Sequence, residues 1–352
     1  RKGEFIADVR KEYSRIRVSY EEKKVTRNLI SLSEAREKKS HQNWKNYIPP
    51  EPELKGIRIF DNYALDELTN YFDWTPFFTA WELKGKYPKI FRNKKVGRQA
   101  KILHDDALKL LNQIVSHNLL IAKGVIGFFP AVSIGDDIRI FRDEGRQQER
   151  MVLHHLRQQI SKSQEQPNRC LADYVAPEES GLKDWIAAFA VTVGYGVETL
   201  SKRFEKNGDD YNKILLKILA DRFAEAFTER IHERVRQEFW GYAKDEVMDN
   251  ESLIREKYRG IRPAPGYPSC PDHTEKSNLW NLLKVEKHTG ITLTENFAMI
   301  PAASVSGWYF SHPDSAYFGL GPITREQVTD YARRKGIEFN TAEKWLAPHL
   351  GY

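Results

Sequence analysis

Soon after residue 57, apolar residues recur at the spacing of a helix. Leu65, Leu68, Tyr71 and Phe72 fall on one face of a segment that Pro76 ends or redirects, because proline cannot continue a helix without losing a backbone hydrogen bond. A longer stretch with the same period, "GRQAKILHDDALKLLNQIVSHNLL", follows. It predicts a long amphipathic helix.

The period then shortens to that of β-strands. The stretch "AKGVIGFFPAVSIGDDIRIFRD" carries strand-forming residues that are interrupted by Gly135 and Asp136, a pair typical of a hairpin turn. Four later stretches are predicted as strands because they are also rich in strand-forming residues: "LADYVA", "WIAAFAVTV", "FAMIPAASVSGWYF" and "SAYFGLG".

The longest predicted helix is "DYNKILLKILADRFAEAFTERIHERVRQEFW", whose apolar side is formed by Ile218, Phe223, Phe227, Ile231, Val235 and Phe239. Two shorter helical stretches, "EKSNLWNLLKVEKHTG" and "TREQVTDYARRKG", each end in glycine, and the second begins with a threonine cap. Helices and strands do not alternate as regular β-α-β units. This order predicts an α+β fold with an antiparallel sheet.

The first part of the chain differs from the rest. Apolar residues at helical spacing predict a helix already in progress within residues 1–24, so we expect the chain to be a piece of a longer protein. Residues 25–56 are polar and contain "YIPPEPELKG", whose prolines predict an extended linker. Residues 57–352 form the main predicted domain.

Composition and charge narrow the class of protein. Hydrophobic residues make up 40% of the chain, enough for a substantial core, and no apolar run approaches the ~20 residues that span a membrane. Two cysteines do not make a disulfide framework, so we expect a soluble protein of the reducing cytoplasm. The net charge of +6 suits nucleic acid or an acidic protein partner, although 49 interleaved acidic residues also fit a plain solvated surface.

Several familiar catalytic signatures are absent from the sequence: the phosphate-binding P-loop, the dinucleotide fingerprint, G-x-S-x-G and HExxH. "CPDH" places Cys270 and His273 at a metal-ligand spacing, but zinc needs two or three more ligands, which favours a plain loop. Asp221, Glu225 and His232 share one face of the longest helix, where a solvated polar stripe is the simpler interpretation.

The stretch "RPAPGYPSCPDHTEK" is the most unusual loop. Pro263 and Pro265 impose extended backbone on either side of Ala264, whose amide is the only donor in that tripeptide. Gly266 permits a close approach or a positive φ, and Arg262 offers a forked donor for a carboxylate. The loop could bind an amino-acid carboxylate and the edge of a base, or it could be a rigid structural turn.

A lone carboxylate among aromatic residues is the other candidate. Asp73 lies in "FDWTPFF", beside Phe72 and Trp74 and close to Phe77 and Phe78. It is either the cap of a helix or a group that binds a cation. Spacing alone favours neither interpretation.

Six stretches carry a resemblance to a known family: "LIREKYRGIRPAPGYPSCPDHTEK", "FDWTPFF", "WELKGKYP", "ADRFAEAFTERIHERVR", "ASVSGWYFSHPDS" and "WLAPHLGY". From about residue 30 onward the chain closely resembles the C-terminal activation domain of cobalamin-dependent methionine synthase. The resemblance implies a single C-shaped domain with a central antiparallel β-sheet flanked by helices. Residues 1–24 resemble the last helix of the preceding cobalamin-binding module, whose D-x-H-x-x-G signature is absent.

The resemblance implies a binding site for S-adenosylmethionine. Asp73 would then meet the ammonium of the ligand, Arg262 its carboxylate, and Ala264 the adenine through its backbone, on the loop that Gly266 turns. Tyr317 and Phe318 would line the nucleoside pocket; many relatives have a second tyrosine at Phe318, which limits that residue to packing or backbone contact.

Three further residues follow from the same resemblance. Tyr267 would lie near the sulfonium, while Glu225 and Glu256 would lie near the ligand or the facing cobalamin. No catalytic residue and no metal ligand is expected in this chain, because reduced cobalamin is itself a strong nucleophile and the sulfonium an excellent electrophile.

The implied function is the reactivation of methionine synthase. Cobalamin, bound by the neighbouring module and not by this chain, is reduced by a one-electron donor such as flavodoxin and is then methylated by S-adenosylmethionine. The chain alone is not expected to synthesise methionine, and neither nucleic acid nor a membrane is an expected partner. Two rival hypotheses are a nucleic-acid-binding module and a module that only docks flavodoxin.

Overall fold

The computed structural model describes residues 9–15, 28–163 and 165–352. Residues 9–15 are helical, in keeping with the helix predicted near the N-terminus. The remainder of the predicted segment 1–24, and the first residues of the predicted linker, lie outside the described residues.

A six-stranded antiparallel sheet forms the centre of the fold, as predicted. Its strands are β1 (Gly56–Tyr63), β2 (Ile121–Ile134), β3 (Asp137–Phe141), β4 (Glu149–His154), β5 (Asp184–Tyr195) and β8 (Ser304–Tyr309). The order is β4-β3-β2-β5-β8. β1 also pairs with β2, along a different part of that strand from the part that pairs with β3. Two further strands, β6 (Thr292–Leu293) and β7 (Met299–Ile300), form a separate pair. The Gly135 hairpin is confirmed, with φ at +60°.

Eleven helices are distributed along residues 28–163 and 165–352. They are α1 (Leu32–Glu37), α2 (Leu65–Leu68), α3 (Trp74–Ala80), α4 (Gly97–Ser116), α5 (Val197–Lys206), α6 (Asp210–Arg234), α7 (Asn250–Ile254), α8 (Glu275–Leu283), α9 (Val285–Thr289), α10 (Arg325–Lys335) and α11 (Phe339–Trp345). The longest, α6, continues into a π-helical turn, Val235–Phe239. Thr324 caps α10 and Gly336 ends it in a left-handed conformation, as predicted.

The two faces of the sheet are covered by different helices, because successive side chains of a strand point to opposite sides. On β5, Phe189 and Val191 pack with α4 and α6, while Ile186 and Ala188 pack with α8 and α9. A third, smaller hydrophobic cluster packs α10 and α11 against the rest of the domain. Both sheet faces are therefore buried, which accounts for the nearly continuous apolar run of β5.

Two predicted strands are wrong. "LADYVA" is a 3-10 turn, Leu171–Tyr174, because the Asp173 carboxylate accepts a hydrogen bond from the Cys170 backbone and closes the turn. "SAYFGLG" forms no strand: the backbone N–H of Leu320 donates to the carbonyl of Pro268, in the stretch "RPAPGYPSCPDHTEK", instead of to a neighbouring strand. The predicted strand "FAMIPAASVSGWYF" divides into β7 and β8 at Pro301, which follows a cis peptide bond.

The predicted linker is only partly extended. No helix or strand is present around its prolines, but α1 lies within it and buries Leu32 and Ala35. Arg36 extends from α1 to the carboxylates of Asp136 and Asp330, at 2.8 and 2.7 Å. The described part of the linker therefore packs against the body of the domain.

Within the described residues, no helix combines the length and apolar composition that crossing a bilayer requires.

Candidate functional site

A cavity of about 520 Å³ lies where α6 and β8 meet the proline-rich loop, residues 262–271. Seven of the nine residues that the sequence proposed for a ligand site line it: Glu225, Glu256, Arg262, Ala264, Tyr267, Tyr317 and Phe318. Phe189 and Val305, from neighbouring strands of the sheet, also line it. Residues 93 positions apart in the chain, from Glu225 to Phe318, thus share one concave surface.

The proline-rich loop runs alongside β8 and extends the edge of the sheet. The carbonyl of Pro263 accepts a hydrogen bond from the N–H of Trp308 at 2.9 Å. No described residue accepts the N–H of Ala264, although its carbonyl accepts from Tyr267 at 3.1 Å. This leaves one backbone donor available at the wall of the cavity.

Gly266 has the positive φ that the sequence allowed, +94°. A Cβ atom at this position would lie 2.3 Å from Cε1 of His273, which no side chain could accommodate without displacing the ring. The N–H of Gly266 donates to Cys270 at 2.7 Å and closes the turn. Gly266 does not line the cavity, so its observed role is to shape the loop.

The chain immediately after the loop is anchored to α10. Nζ of Lys335 donates to Asp272 at 2.8 Å, to Thr274 at 2.7 Å and to Glu275 at 2.5 Å. The hydroxyl of Tyr331 donates to the same Asp272 carboxylate at 2.6 Å. These groups are largely buried, and a buried charge is costly unless it is paired. The lysine and the two carboxylates therefore compensate one another in place of water.

Arg262 enters the cavity with most of its guanidinium already engaged. Nη2 donates to Oε2 of Glu229 at 2.7 Å, and Nη1 lies 3.0 Å from Nδ1 of His232 and 2.8 Å from the hydroxyl of Tyr258. Its backbone N–H donates to the hydroxyl of Tyr317 at 2.9 Å. Burial disfavours the charged form, but Glu229, Tyr258 and Tyr317 together outweigh this and hold the pKa of Arg262 well above its ordinary value.

Two carboxylates face the cavity without a salt bridge to any described residue: Glu225 and Glu256. Burial raises the pKa of Glu256; Arg262 opposes the rise and Glu229 adds to it. Tyr267 is 58% exposed, and burial followed by the charge of Glu225 raises the pKa of its hydroxyl. The site therefore combines one paired cation with two unpaired anionic groups, and it can accept a cationic ligand.

Asp73 is a helix cap. Its Oδ1 accepts a hydrogen bond from the N–H of Thr75 at 2.9 Å at the start of α3, and the residue does not line the cavity. The geometry settles the capping role, and a second role as a ligand group stays a prediction.

The polar stripe on α6 does not act as one unit. Asp221 is exposed and lines a different cavity, Glu225 lines the cavity described above, and His232 is fully buried against Arg262. Cys270 is a buried free thiol. Across residues 9–15, 28–163 and 165–352, no group of three or more His, Cys, Asp or Glu side chains is arranged to hold a metal ion.

Sequence reasoning missed Glu229 and Tyr258, which hold Arg262. A signal for Glu229 was available, because it follows Glu225 by four residues on the same helix face. Tyr258 precedes Arg262 by four residues in a segment without a regular period, and nothing in the pattern distinguishes it.

Comparison with known proteins gives two findings. The family model described as the vitamin B12 dependent methionine synthase, activation domain, matches residues 64–336. A crystal structure of the MetH reactivation domain bound to AdoHcy is similar to this chain, with a TM-score of 0.89 and 53% sequence identity, covering 92% of this chain and 99% of that one. The chain belongs to the family of vitamin B12-dependent methionine synthase activation domains.

Proposed function

We propose that the cavity beside the proline-rich loop binds S-adenosylmethionine, and that the domain presents this methyl donor to cobalamin to restore an inactivated methionine synthase. The observation that carries the proposal is the convergence in one cavity of a largely buried arginine, a backbone amide and two carboxylates, the last three without a hydrogen-bond or salt-bridge partner among the described residues. The relative that holds AdoHcy, the demethylated form of the same ligand, supports it.

Four parts of the ligand have a chemically matched group in the cavity, while the partner of its ammonium, Asp73, stays a prediction. The carboxylate suits Arg262, and the adenine edge suits the N–H of Ala264. Tyr317 and Phe318 offer apolar and aromatic surface to the nucleoside. Glu225 and Glu256 suit the positive sulfonium, with Tyr267 beside them at the mouth.

The proposed chemistry requires position more than reactive side chains. Cobalamin, held by the neighbouring module, would be the methyl acceptor: once reduced, its cobalt would donate an electron pair to form a cobalt–carbon bond as the carbon–sulfur bond breaks. The electrons of the broken bond would stay on sulfur, and S-adenosylhomocysteine would leave. The residues of this chain hold the sulfonium in place, which lowers the entropy cost of the transfer. No protein nucleophile or general base is needed.

We further infer the organisation and partners of the chain. Residues 1–24 would be the exit helix of the cobalamin-binding module, 25–56 the connection and 57–352 the activation domain. The net charge of +6 suits an acidic electron donor of the flavodoxin type, with charge chiefly raising the rate of association at low salt.

Titration calorimetry of S-adenosylmethionine into the 352-residue protein tests the proposal. Saturable binding at one site and a rise in melting temperature with ligand concentration are expected. A module that only docks a reductase would show neither effect, and a nucleic-acid-binding module would instead bind polyanions with a steep salt dependence.

Replacement of Asp73 by asparagine separates its two roles. Asparagine is an equally good helix cap, so the free energy of unfolding is expected to change by less than about 0.5 kcal/mol. If the carboxylate also meets the ligand's ammonium, S-adenosylmethionine affinity falls by about tenfold, as for loss of a charged hydrogen bond. Denaturant unfolding and calorimetry measure the two effects; unchanged affinity would leave Asp73 as a cap alone.

The affinity for S-adenosylmethionine is expected to fall as the pH decreases. Because partial desolvation raises the pKa of Glu256, its carboxylate loses its charge at a higher pH than a fully solvated glutamate, and with it the attraction for the sulfonium. S-adenosylhomocysteine, neutral at sulfur, is expected to lose less affinity and controls for titration of the shared amino-acid group. Calorimetry between pH 7.5 and pH 5 measures the affinity for each ligand. Glu256→Gln is expected to reduce the difference between the pH profiles of the two ligands. Parallel pH profiles in the unaltered protein would contradict this account.

A further inference from the structure

Three buried groups surround the guanidinium of Arg262 on the side away from solvent. Glu229 and His232 lie one turn apart on α6, and Tyr258 precedes Arg262 in the segment after α7. Their exposed fractions are only 8%, 0% and 7%. This set is continuous with the cavity but, apart from Arg262, does not line it.

The hydrogen bonds leave a defined part of the guanidinium unused. A guanidinium has five N–H donors in one plane. Both donors of Nη1 are directed at His232 and Tyr258, and one donor of Nη2 is directed at Glu229. Nε–H and the second Nη2–H have no partner among the described residues, and two such donors are what a carboxylate accepts in a bidentate pair.

His232 can serve as an acceptor only because it is neutral. Burial, followed by the charges of Arg236 and Arg262, holds the pKa of His232 well below its ordinary value. Since arginine can only donate, Nδ1 of His232 must carry the lone pair. The ring is fixed by Tyr309, stacked at 5.0 Å, and by Tyr258, edge-on at 4.7 Å.

We propose that Glu229, His232 and Tyr258 are positioning residues that hold Arg262 in one orientation before the ligand arrives, with its two remaining donors directed to the ligand's carboxylate. The inference rests on the proposed function. Arginine has many rotamers when free, and a side chain that is already ordered loses less entropy on binding. The three groups thereby make the domain selective for a methyl donor that retains its α-carboxylate.

The test removes the two hydrogen-bond acceptors of Nη1 while keeping the charge and an aromatic ring at each position. His232→Phe and Tyr258→Phe, singly and together, take away the partners of Nη1 and keep both rings, while Glu229 stays in place because its removal would also change the charge facing the ligand. Each variant is titrated with S-adenosylmethionine and with decarboxylated S-adenosylmethionine, which keeps the sulfonium, the amine and the nucleoside. Thermal unfolding of each variant accompanies the titrations.

The expected result is selective. We expect each single change to weaken S-adenosylmethionine binding several-fold and the double change about tenfold, the scale of losing a hydrogen bond to a charged group, while affinity for the decarboxylated ligand stays within about twofold. In an Arg262→Ala background, the same double change should have no further effect on S-adenosylmethionine.

Two results would overturn the inference: equal loss of both ligands, which would indicate a general structural role, or no loss of either. If the double variant does not fold, the single variants carry the same comparison. Failure of the unaltered protein to bind S-adenosylmethionine would instead refute the proposed function itself, and the inference with it.

Discussion

Replacement of Arg262 by alanine is expected to weaken the binding of S-adenosylmethionine by about 1.5–3 kcal/mol, the range for hydrogen bonds to charged groups. This corresponds to roughly a tenfold to 150-fold rise in Kd. The variant removes the proposed partner of the ligand's carboxylate from a cavity where it is the one lining cation among the described residues. Calorimetry on the purified protein measures the change.

The same variant also leaves the Glu229 carboxylate buried without its cation, so stability must be followed in parallel. A double variant, Arg262→Ala with Glu229→Gln, is the matched control: it removes the stranded charge and should recover stability without recovering affinity. Arg262→Lys keeps the charge but loses the fork and is expected to be intermediate. Unchanged affinity in Arg262→Ala would remove this residue from the site.

Replacement of Arg157 by alanine is expected to destabilise the fold by about 3–5 kcal/mol, the cost of breaking a buried ion pair from one side. Arg157 is 1% exposed and contacts Asp136 at 2.7 Å and Asp173 at 2.6 Å. Its Nη1 also donates to the carbonyl of Asn168 at 2.8 Å. Without the guanidinium, two buried carboxylates lose their main cation, although Arg36 still reaches Asp136.

The stability lost in the Arg157→Ala variant should depend on pH. Burial favours the neutral form of Asp136, but Arg157 and Arg36 outweigh it and hold the pKa of Asp136 below its ordinary value. A depressed pKa in the folded state contributes stability at neutral pH that disappears as the carboxylate is protonated, so the difference between the two proteins should shrink towards acid pH. Denaturant titrations at pH 7 and at a pH below 3.8, the ordinary pKa of an aspartate, measure it.

Arg139 provides a matched comparison because it also pairs with two carboxylates, those of Glu149 and Glu178, but at the surface. Arg139→Ala is expected to cost at most about 1 kcal/mol. If the Arg157 and Arg139 variants lost equal stability, burial would not be the reason for the effect.

Much of the architecture was predictable because its signals are local. The period of the stretch from residue 210 predicted α6, and the Gly135-Asp136 pair predicted the β2–β3 hairpin, since both depend on neighbours within a few residues. "LADYVA" and "SAYFGLG" failed because distant partners decide their backbone. Asp173 is fixed by Arg157, and Leu320 bonds to a loop about 50 residues earlier in the chain.

The site was predictable to the extent that single residues carry chemistry. Proline spacing indicated the stiffness around Ala264, and Gly266 has the positive φ that its identity allowed. Asp73 shows the limit, since a carboxylate at a helix start reads equally as a cap and as a ligand group. The helix period placed Glu229 on the same face as Glu225, but its contact with Arg262, like that of Tyr258, depends on how α6 packs against the loop, which no local pattern encodes.

The anchoring of Asp272 by Lys335 has a consequence for biosynthesis. The lysine is placed 63 residues after the aspartate, in α10. While the protein is being translated, the proline-rich loop leaves the ribosome well before the cation that fastens it. A polypeptide released before α10 is complete would carry the loop without its anchor, so the loop can be fastened only after α10 has been synthesised.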